Sequence, residues 1–204
     1  NARELVWYPS EVDTSIRTGW FYHPEEDTDV RTAGELLDIY LDAVGANASL
    51  LLNIPPDTHG RIAAPDCASL TELGTKIQQI FASNVTEKAA ITTDSAIAQH
   101  PITQAVDGMA NTYWQAAYGQ ESDTITLNFP KPQKVSCVVL GEHLPTGQRI
   151  ESGEIWADGS KAAEFTVVGH KRICRFTPVD VQTLTIKITA SRTEPTLRLL
   201  EVYQ

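Results

Sequence analysis

At 204 residues, with 42% apolar and 21% charged residues, the chain could hold one large domain or two smaller ones and is composed like an ordinary globular protein. Its net charge of −10 argues against nucleic acid and anionic membranes as partners, because an acidic surface repels phosphate. Neutral sugars remain compatible, and the lack of any apolar run of about 18 residues predicts no membrane span.

The charge is uneven. Up to Val85 there are 5 Lys and Arg against 13 Asp and Glu, a net of −8; from Thr86 onward the counts are 11 and 13, a net of −2. The start, Asn-Ala-Arg-Glu, lacks the basic-then-apolar pattern of a secretion signal. Cys67, Cys137 and Cys174 show no CxxC or CxxH spacing, so zinc has no support. Cys137 and Cys174 fall inside apolar strand-like runs and read as buried, inert thiols.

In chain order, "ELVWYPSEVDTSI" reads as an extended run. "RTAGELLDIYLDAVGANA" follows, with Leu36, Leu37, Tyr40, Leu41 and Val44 forming the stripe of an amphipathic helix. Thr32 and Glu35 make a capping-box pair at its start, and Gly45 marks its end. "SLLLNIPP" is a short, continuously apolar strand, as expected where both faces of a sheet are covered. "SLTELGTKIQQIFASN" is a second helix, with Leu70, Leu73, Ile77, Ile80 and Phe81 on one side. Strand, helix, strand, helix implies a parallel sheet. Four such elements cannot close a parallel barrel, which needs eight strands and roughly 250 residues.

After Thr86 the period becomes two. "DTITLNF", "KVSCVVLGE", "GEIWAD", "AEFTVVG", "KRICRFTPV", "TLTIKITAS" and "LRLLEVYQ" are short β-rich runs separated by turn residues. Their number and spacing predict an antiparallel sandwich. The expected division is 1–85 for the α/β part and 86–204 for the all-β part.

One stretch near the start, "VWYPSEVDTSIRTGWFYHPEED", combines aromatic and charged chemistry without core periodicity. Together with the downstream "ELLDIYLDAVGANASLLLNIPPDTHGRI", it resembles the C-terminal part of the barrel of α-L-fucosidases of glycoside hydrolase family 29, nearest to the subfamily favouring branched α-1,3/1,4-linked fucose. The resemblance covers roughly the first 85 residues and rests on G-W-F-Y-H followed by L-L-L-N-I-P-P-D. Thr18 stands where the family more usually has Pro. The fold implied is the last βα units of a (β/α)8 barrel, whose βα loops line the active site. Trp20 matches the Trp that forms the wall for the C6 methyl of fucose, and Glu11, Asp13, Arg17 and His23 are further candidate substrate-binding residues.

Glu11 and Asp13 are i, i+2 on an extended run and share a side, with Cα atoms about 7 Å apart. A retaining glycosidase needs its carboxyl groups about 5–5.5 Å apart, so spacing alone would admit them as the catalytic pair. The resemblance implies otherwise: the family's Asp nucleophile and Glu acid/base lie on earlier strands, upstream of this chain. Glu11 and Asp13 then become candidates for binding or orienting roles, alongside the alternatives of a solvated or Arg-paired loop acid for either and a turn-forming role for Asp13. Arg17 fits three roles: a brace for Glu11 or Asp13, a donor to a sugar hydroxyl, or a structural ion pair. His23, Trp7, Tyr8 and Asn53 each fit a structural role as well as a ligand contact, and Glu25, Glu26 and Asp27 read as a solvated rim.

"AVDGMANTYWQA", "GQRIESGEIWADG" and "GHKRICRFTPV" resemble a discoidin-like (coagulation factor type C) sandwich of the galactose-binding architecture. That resemblance implies a structural Ca²⁺ at Asp107, Asn111, Thr112 and Glu201, an oxygen donor set suited to a hard cation. Trp114 reads as core. The function implied is that of part of a retaining exo-α-L-fucosidase, needing no cofactor for catalysis. Its partners would be a fucosylated oligosaccharide and the N-terminal part of the same barrel, and its place secreted or periplasmic. The alternative is a non-catalytic carbohydrate-binding or structural module.

Overall fold

The computed structural model describes residues 8–204, so Trp7 and the start of the first extended run lie outside the described residues. The chain forms two compact units, Tyr8–Phe81 and a second running from Ala82 to Gln204. Among the described residues no helix is long and apolar enough to cross a membrane.

In the first unit, β1 (Ser10–Ser15) pairs in parallel with β2 (Ala48–Asn53), and Ser15 stands opposite Asn53 at the end of the ladder. Between them runs α1 (Ala33–Val44), and α2 (Ala64–Ile80) follows. The α1 start is fixed by both halves of the capping box: Thr32 Oγ1 accepts from the Glu35 N–H, and the Glu35 carboxylate accepts from the Thr32 N–H at 2.8 Å. The Glu35 carboxyl is held below its ordinary range chiefly by that backbone bond.

Helix α2 begins at Ala64, earlier than the apolar stripe suggested. Pro65 is tolerated in the first turn because an N–H there would have no helical acceptor anyway. Its fixed backbone extends the helix toward Asp66, which is fully buried.

Ile16, Ala33, Leu36 and Leu73 form the buried cluster, with Leu52, Ile54, Leu70 and Ile77 packed against it. Side chains alternate across a strand, so Thr14, Ile16, Leu52 and Ile54 face the helices while Glu11, Asp13, Ser15, Leu51 and Asn53 share the opposite face. The apolar run of β2 led us to expect cover on both sides. Among the described residues only the helix side is covered: Leu51 is 51% exposed on the other.

The second unit contains single 3-10 turns but no α-helix among its described residues. Its strands are β3 (Ala90–Thr93), β4 (Trp114–Gln115), β5 (Asp123–Gly141), β6 (Ile150–Ala157), β7 (Ser160–Phe165), β8 (Arg172–Ser191), β9 (Thr196–Leu197) and β10 (Leu199–Tyr203). Six form one sheet in the order β10-β5-β8-β6-β7, with β3 also pairing β5, while β4 and β9 form a separate short ladder. All these pairings are antiparallel.

Four of the predicted strands merge into two. "DTITLNF" and "KVSCVVLGE" are the ends of β5, and "KRICRFTPV" and "TLTIKITAS" the ends of β8. Pro130 and Pro132 read as strand breakers in sequence. In the fold they fall where the β5–β8 register shifts between Asn128 and Gln133, an irregularity that tolerates a residue without an N–H. Inward residues from both halves of β5 (Ile125, Leu127, Val138 and Leu140) enter one core with Trp114, Ile186 and Leu197.

Gly153 marks the closest packing: a Cβ there would run into the Phe165 ring and come within 2.7 Å of the Lys187 carbonyl oxygen. Cys137 and Cys174 are both buried, and burial pushes each thiol up to about 12, so both stay neutral and unreactive near pH 7. Cys67 is exposed.

Candidate functional site

The site candidates gather on the loop from Ser15 to Arg31, which leaves the C-terminal end of β1 and returns to α1. Its base is closed by backbone bonds. The Ile16 N–H donates to the Asn53 carbonyl at 3.0 Å, and the Arg31 N–H donates to the Ile16 carbonyl at 2.9 Å. The Arg31 guanidinium adds a bond to the Ser15 carbonyl at 3.0 Å.

Arg17 is the loop's anchor. Its guanidinium donates to Asp66 through Nε at 3.1 Å and lies 2.9 Å from the second Asp66 oxygen. The same group reaches Asp27 at 2.7 Å, the His23 carbonyl at 3.3 Å, and lies 4.8 Å from the centre of the Tyr22 ring. The side chains of Arg17 and Asp66 are wholly buried. This bears on two expectations. Of the three roles open to Arg17, the geometry shows the structural ion pair: its contacts go to Asp66, Asp27 and the His23 carbonyl rather than to Glu11 or Asp13, and its side chain has no exposed surface. Asp27, expected in a solvated rim, is half of one of those ion pairs.

Above this anchor the aromatic residues stand outward. Trp20 is 52% exposed and Phe21 77% exposed. A second pair of strand-end residues holds the Gly19–Trp20 turn. Ser15 Oγ donates to the Gly19 carbonyl at 2.8 Å, and Asn53 Nδ2 donates both to Ser15 Oγ and to the Trp20 carbonyl, each at 3.1 Å. Glu11 and Asp13 are exposed on the same strand face as Ser15. The His23 ring is exposed too, and it is the residue's carbonyl that meets Arg17.

The segment after β2 forms its own tight turn. The Asp57 carboxylate accepts the His59 and Arg61 N–H groups at 2.8 and 2.9 Å and faces the Arg61 guanidinium at 3.2 Å. The Arg61 backbone bond is the main reason its carboxyl sits below the ordinary range.

In the second unit, Asp107 and Glu201 line one recess of about 180 Å³ together with Asn84, Thr86 and Glu87. The Thr112 hydroxyl lies 2.9 and 2.8 Å from the two Asp107 oxygens, and Asp107 also accepts the Met109 N–H at 2.8 Å. Glu201 accepts from the Tyr203 hydroxyl at 2.9 Å. Asn111 is exposed at the same turn. The donors are all oxygen, as a hard cation requires. Among the described residues no three of His, Cys, Asp and Glu converge, so neutral oxygens would have to complete any shell.

Residues 2–79 match the family model described as alpha-L-fucosidase. The fucosidase likeness runs well past this stretch. Alpha-L-fucosidase 1 of Arabidopsis thaliana is 31% identical over 97% of this chain, which spans 41% of that protein. A rice (Oryza sativa) relative of the same description is 30% identical, and the chain spans 40% of it. A Bacteroides thetaiotaomicron structure described as an α-L-fucosidase is 30% identical, with a TM-score of 0.91 over 98% of this chain and 45% of that one. A Ruminococcus gnavus family 29 fucosidase solved with fucose is 28% identical, with a TM-score of 0.88 over 97% of this chain and 41% of that one. A chitosan-binding module from Paenibacillus shares a fold with 59% of this chain at a TM-score of 0.53 and 23% identity.

Sequence reasoning missed Asp66 and the role of Ser15 at this site. Asp66 lies 49 residues from Arg17, beyond any local pattern. A carboxylate between Pro65 and an apolar helix face was the available signal.

Proposed function

We propose that this chain is the C-terminal portion of a retaining exo-α-L-fucosidase acting on terminal α-1,3/1,4-linked fucose. In this reading the first unit supplies the last βα units of a (β/α)8 barrel, and the second is a discoidin-like, galactose-binding-like sandwich. The Asp nucleophile and Glu acid/base belong to barrel strands preceding β1. The nucleophile would attack the anomeric carbon while the acid protonates the departing oxygen; water then hydrolyses the glycosyl-enzyme bond with the same Glu acting as base.

Several features support this reading. Among the described residues β1 and β2 have no other strand partner, and the sheet face opposite the helices is open, as a barrel interior would be without its other strands. Val12, on the helix side of β1, is 38% exposed, where one more helix would lie in a barrel. Glu11 and Asp13 project from the open face and would accept hydrogen bonds from sugar hydroxyls. The observation that carries the most is Trp20: a large aromatic, 52% exposed, whose carbonyl is held by Asn53 at the C-terminal end of a strand, where barrel enzymes place their sites. Its ring offers an apolar wall to the C6 methyl and the pyranose face.

The test is Trp20→Ala in the protein carrying the complete barrel, with an aryl α-L-fucoside as substrate. A lost apolar contact of 1–2 kcal/mol should raise KM by roughly five- to thirtyfold. An unchanged KM would sink the role of Trp20. The structural Ca²⁺ at Asp107, Thr112, Glu201 and Asn111 belongs to this proposal, as does a secreted or periplasmic location. A second reading, a non-catalytic carbohydrate-binding module, draws on the fold shared with the chitosan-binding module; it is favoured if the second unit alone retains glycan affinity and the barrel protein shows no turnover.

A further inference from the structure

The geometry points to Asn53 as the residue that sets where Trp20 stands, a positioning residue for fucose binding; the inference rests on the reading of Trp20 as the sugar-facing ring. Ser15 and Asn53 are the last residues of β1 and β2 and are direct partners in the ladder. Both lie on the strand face that carries Glu11 and Asp13. From there they hold two successive carbonyls of the loop, Ser15 taking that of Gly19 and Asn53 that of Trp20.

The loop is also tied down on either side of the turn, by Arg17 on Asp27 and the His23 carbonyl and by the Thr18 hydroxyl on Asp29 at 3.2 Å, but these bonds flank Gly19 and Trp20 rather than hold their carbonyls. A Cβ at Gly19 would meet nothing within 4 Å, so packing does not fix the backbone there. Trp20 and Phe21 are 52% and 77% exposed, so neither ring is fully seated in a core that would fix the loop. The relay is what holds the Gly19 and Trp20 carbonyls themselves, and its chemistry requires an amide at position 53. Ser15 Oγ gives its proton to Gly19 and accepts from Asn53 Nδ2 and from the Arg17 N–H, the latter at 3.3 Å. Both acceptors facing Asn53, the hydroxyl oxygen and the Trp20 carbonyl, therefore need N–H donors. A carboxylate of the same shape has none and would repel the carbonyl. Asn53 acts on sugar binding through the peptide of Trp20 and need not touch the sugar.

The experiment uses the protein with its complete barrel and 4-nitrophenyl α-L-fucopyranoside. Asn53→Asp should raise KM about tenfold and change kcat less than about threefold, with unchanged far-UV circular dichroism. Ser15→Ala should raise KM in the same direction, and Ser15→Thr, which keeps the hydroxyl, should restore it. The Ser15 pair decides the matter if Asn53→Asp fails to fold. The double variant Asn53→Asp/Trp20→Ala should be no worse than Trp20→Ala alone, because a displaced ring and an absent ring are the same loss. If Trp20→Ala raises KM while Asn53→Asp and Ser15→Ala do not, or if the two effects add fully, the inference is overturned and the Trp20 role stands. If Trp20→Ala itself leaves KM unchanged, the reading of the pocket fails and takes this inference with it.

Discussion

Replacing Arg17 with Met would remove the buried cation that pairs with Asp66 while keeping much of its aliphatic volume. Asp66 is completely desolvated, so without Arg17 it becomes a buried charge lacking its counter-ion. Breaking a pair of this kind costs about 3–5 kcal/mol. The Asp27 side chain is 37% exposed and its pairing adds at most about 1 kcal/mol, because solvent screens it. A central value of about 4 kcal/mol corresponds to roughly a thousandfold change in a local opening equilibrium. Two compact units make a single unfolding midpoint a poor measure, so the assay is native-state amide hydrogen exchange. The reporter is the Arg31 N–H, which closes the loop on the Ile16 carbonyl. Its exchange should speed up by about three orders of magnitude while β5 and β8 amides stay unchanged. The companion variant Arg17→Met/Asp66→Leu, with no charge left buried, should recover most of the protection. Unchanged exchange in Arg17→Met, together with weakened fucoside binding, would refute the anchoring role and make Arg17 a sugar donor after all.

Other expectations follow from the second unit. Gly153→Ala should destabilise it by about 1–3 kcal/mol, since the Lys187 carbonyl is backbone and cannot swing aside; native-state exchange of the β6 and β8 amides unchanged from wild type would contradict the packing described. Glu194 is held at about 2 chiefly by the Gly119 N–H, with help from the Thr193 hydroxyl. A depressed carboxyl stabilises the fold above its unfolded value and loses that contribution as pH falls, here from about 4.5 toward about 2. Glu194→Gln should flatten that part of the acid unfolding curve, and an unaltered curve would mean the bonds to Gly119 and Thr193 do not persist in solution. Asp107→Ala should abolish any rise in melting temperature on adding Ca²⁺, read by differential scanning fluorimetry against a chelator control. Equal shifts in both proteins would place the ion elsewhere.

The sequence carried α1 well, because its signals are local: a capping box at Thr32 and Glu35, and apolar residues at helical spacing. The start of α2 was hidden because Ala63, Ala64 and Pro65 carry no apolar stripe, and a proline read as an interruption serves as part of the first turn. Strands β5 and β8 looked like two pieces each, since the composition of Pro130, Lys131 and Pro132 cannot reveal that a partner strand shifts register to accommodate them. Trp20 could be singled out from its neighbours because an aromatic amid acids and turn residues has no core periodicity. The groups that hold it could not, for a different reason. Ser15 meets Asn53 only through strand pairing, and Arg17 meets Asp66 only once α2 has docked. Both contacts are tertiary, and single-sequence periodicity contains no information about which distant polar residue will lie opposite.

The continuity of β5 and β8 bears on how the second unit can be cut or rewired. Each strand serves the sheet along its whole length: β5 holds β3 near its beginning and β10 near its end, while β8 accompanies it across both regions. A chain break or insertion near Pro130 or Pro178 would therefore sever two neighbourhoods at once, although both places look like loops in the sequence. The β6–β7 hairpin is different. Asp158 and Gly159 take positive φ values of 45° and 82° there, and the turn joins two strands at the rim of the sheet. The Asp158 carboxylate accepts the Gln182 and Thr183 N–H groups of β8, so new termini, a tag or a guest domain should be placed after Gly159 rather than at Asp158. The pairing of β5 with β8 runs from Leu140 opposite Arg172 to Asp123 opposite Ile188, so the central ribbon is built from contacts distant in sequence, which slow folding.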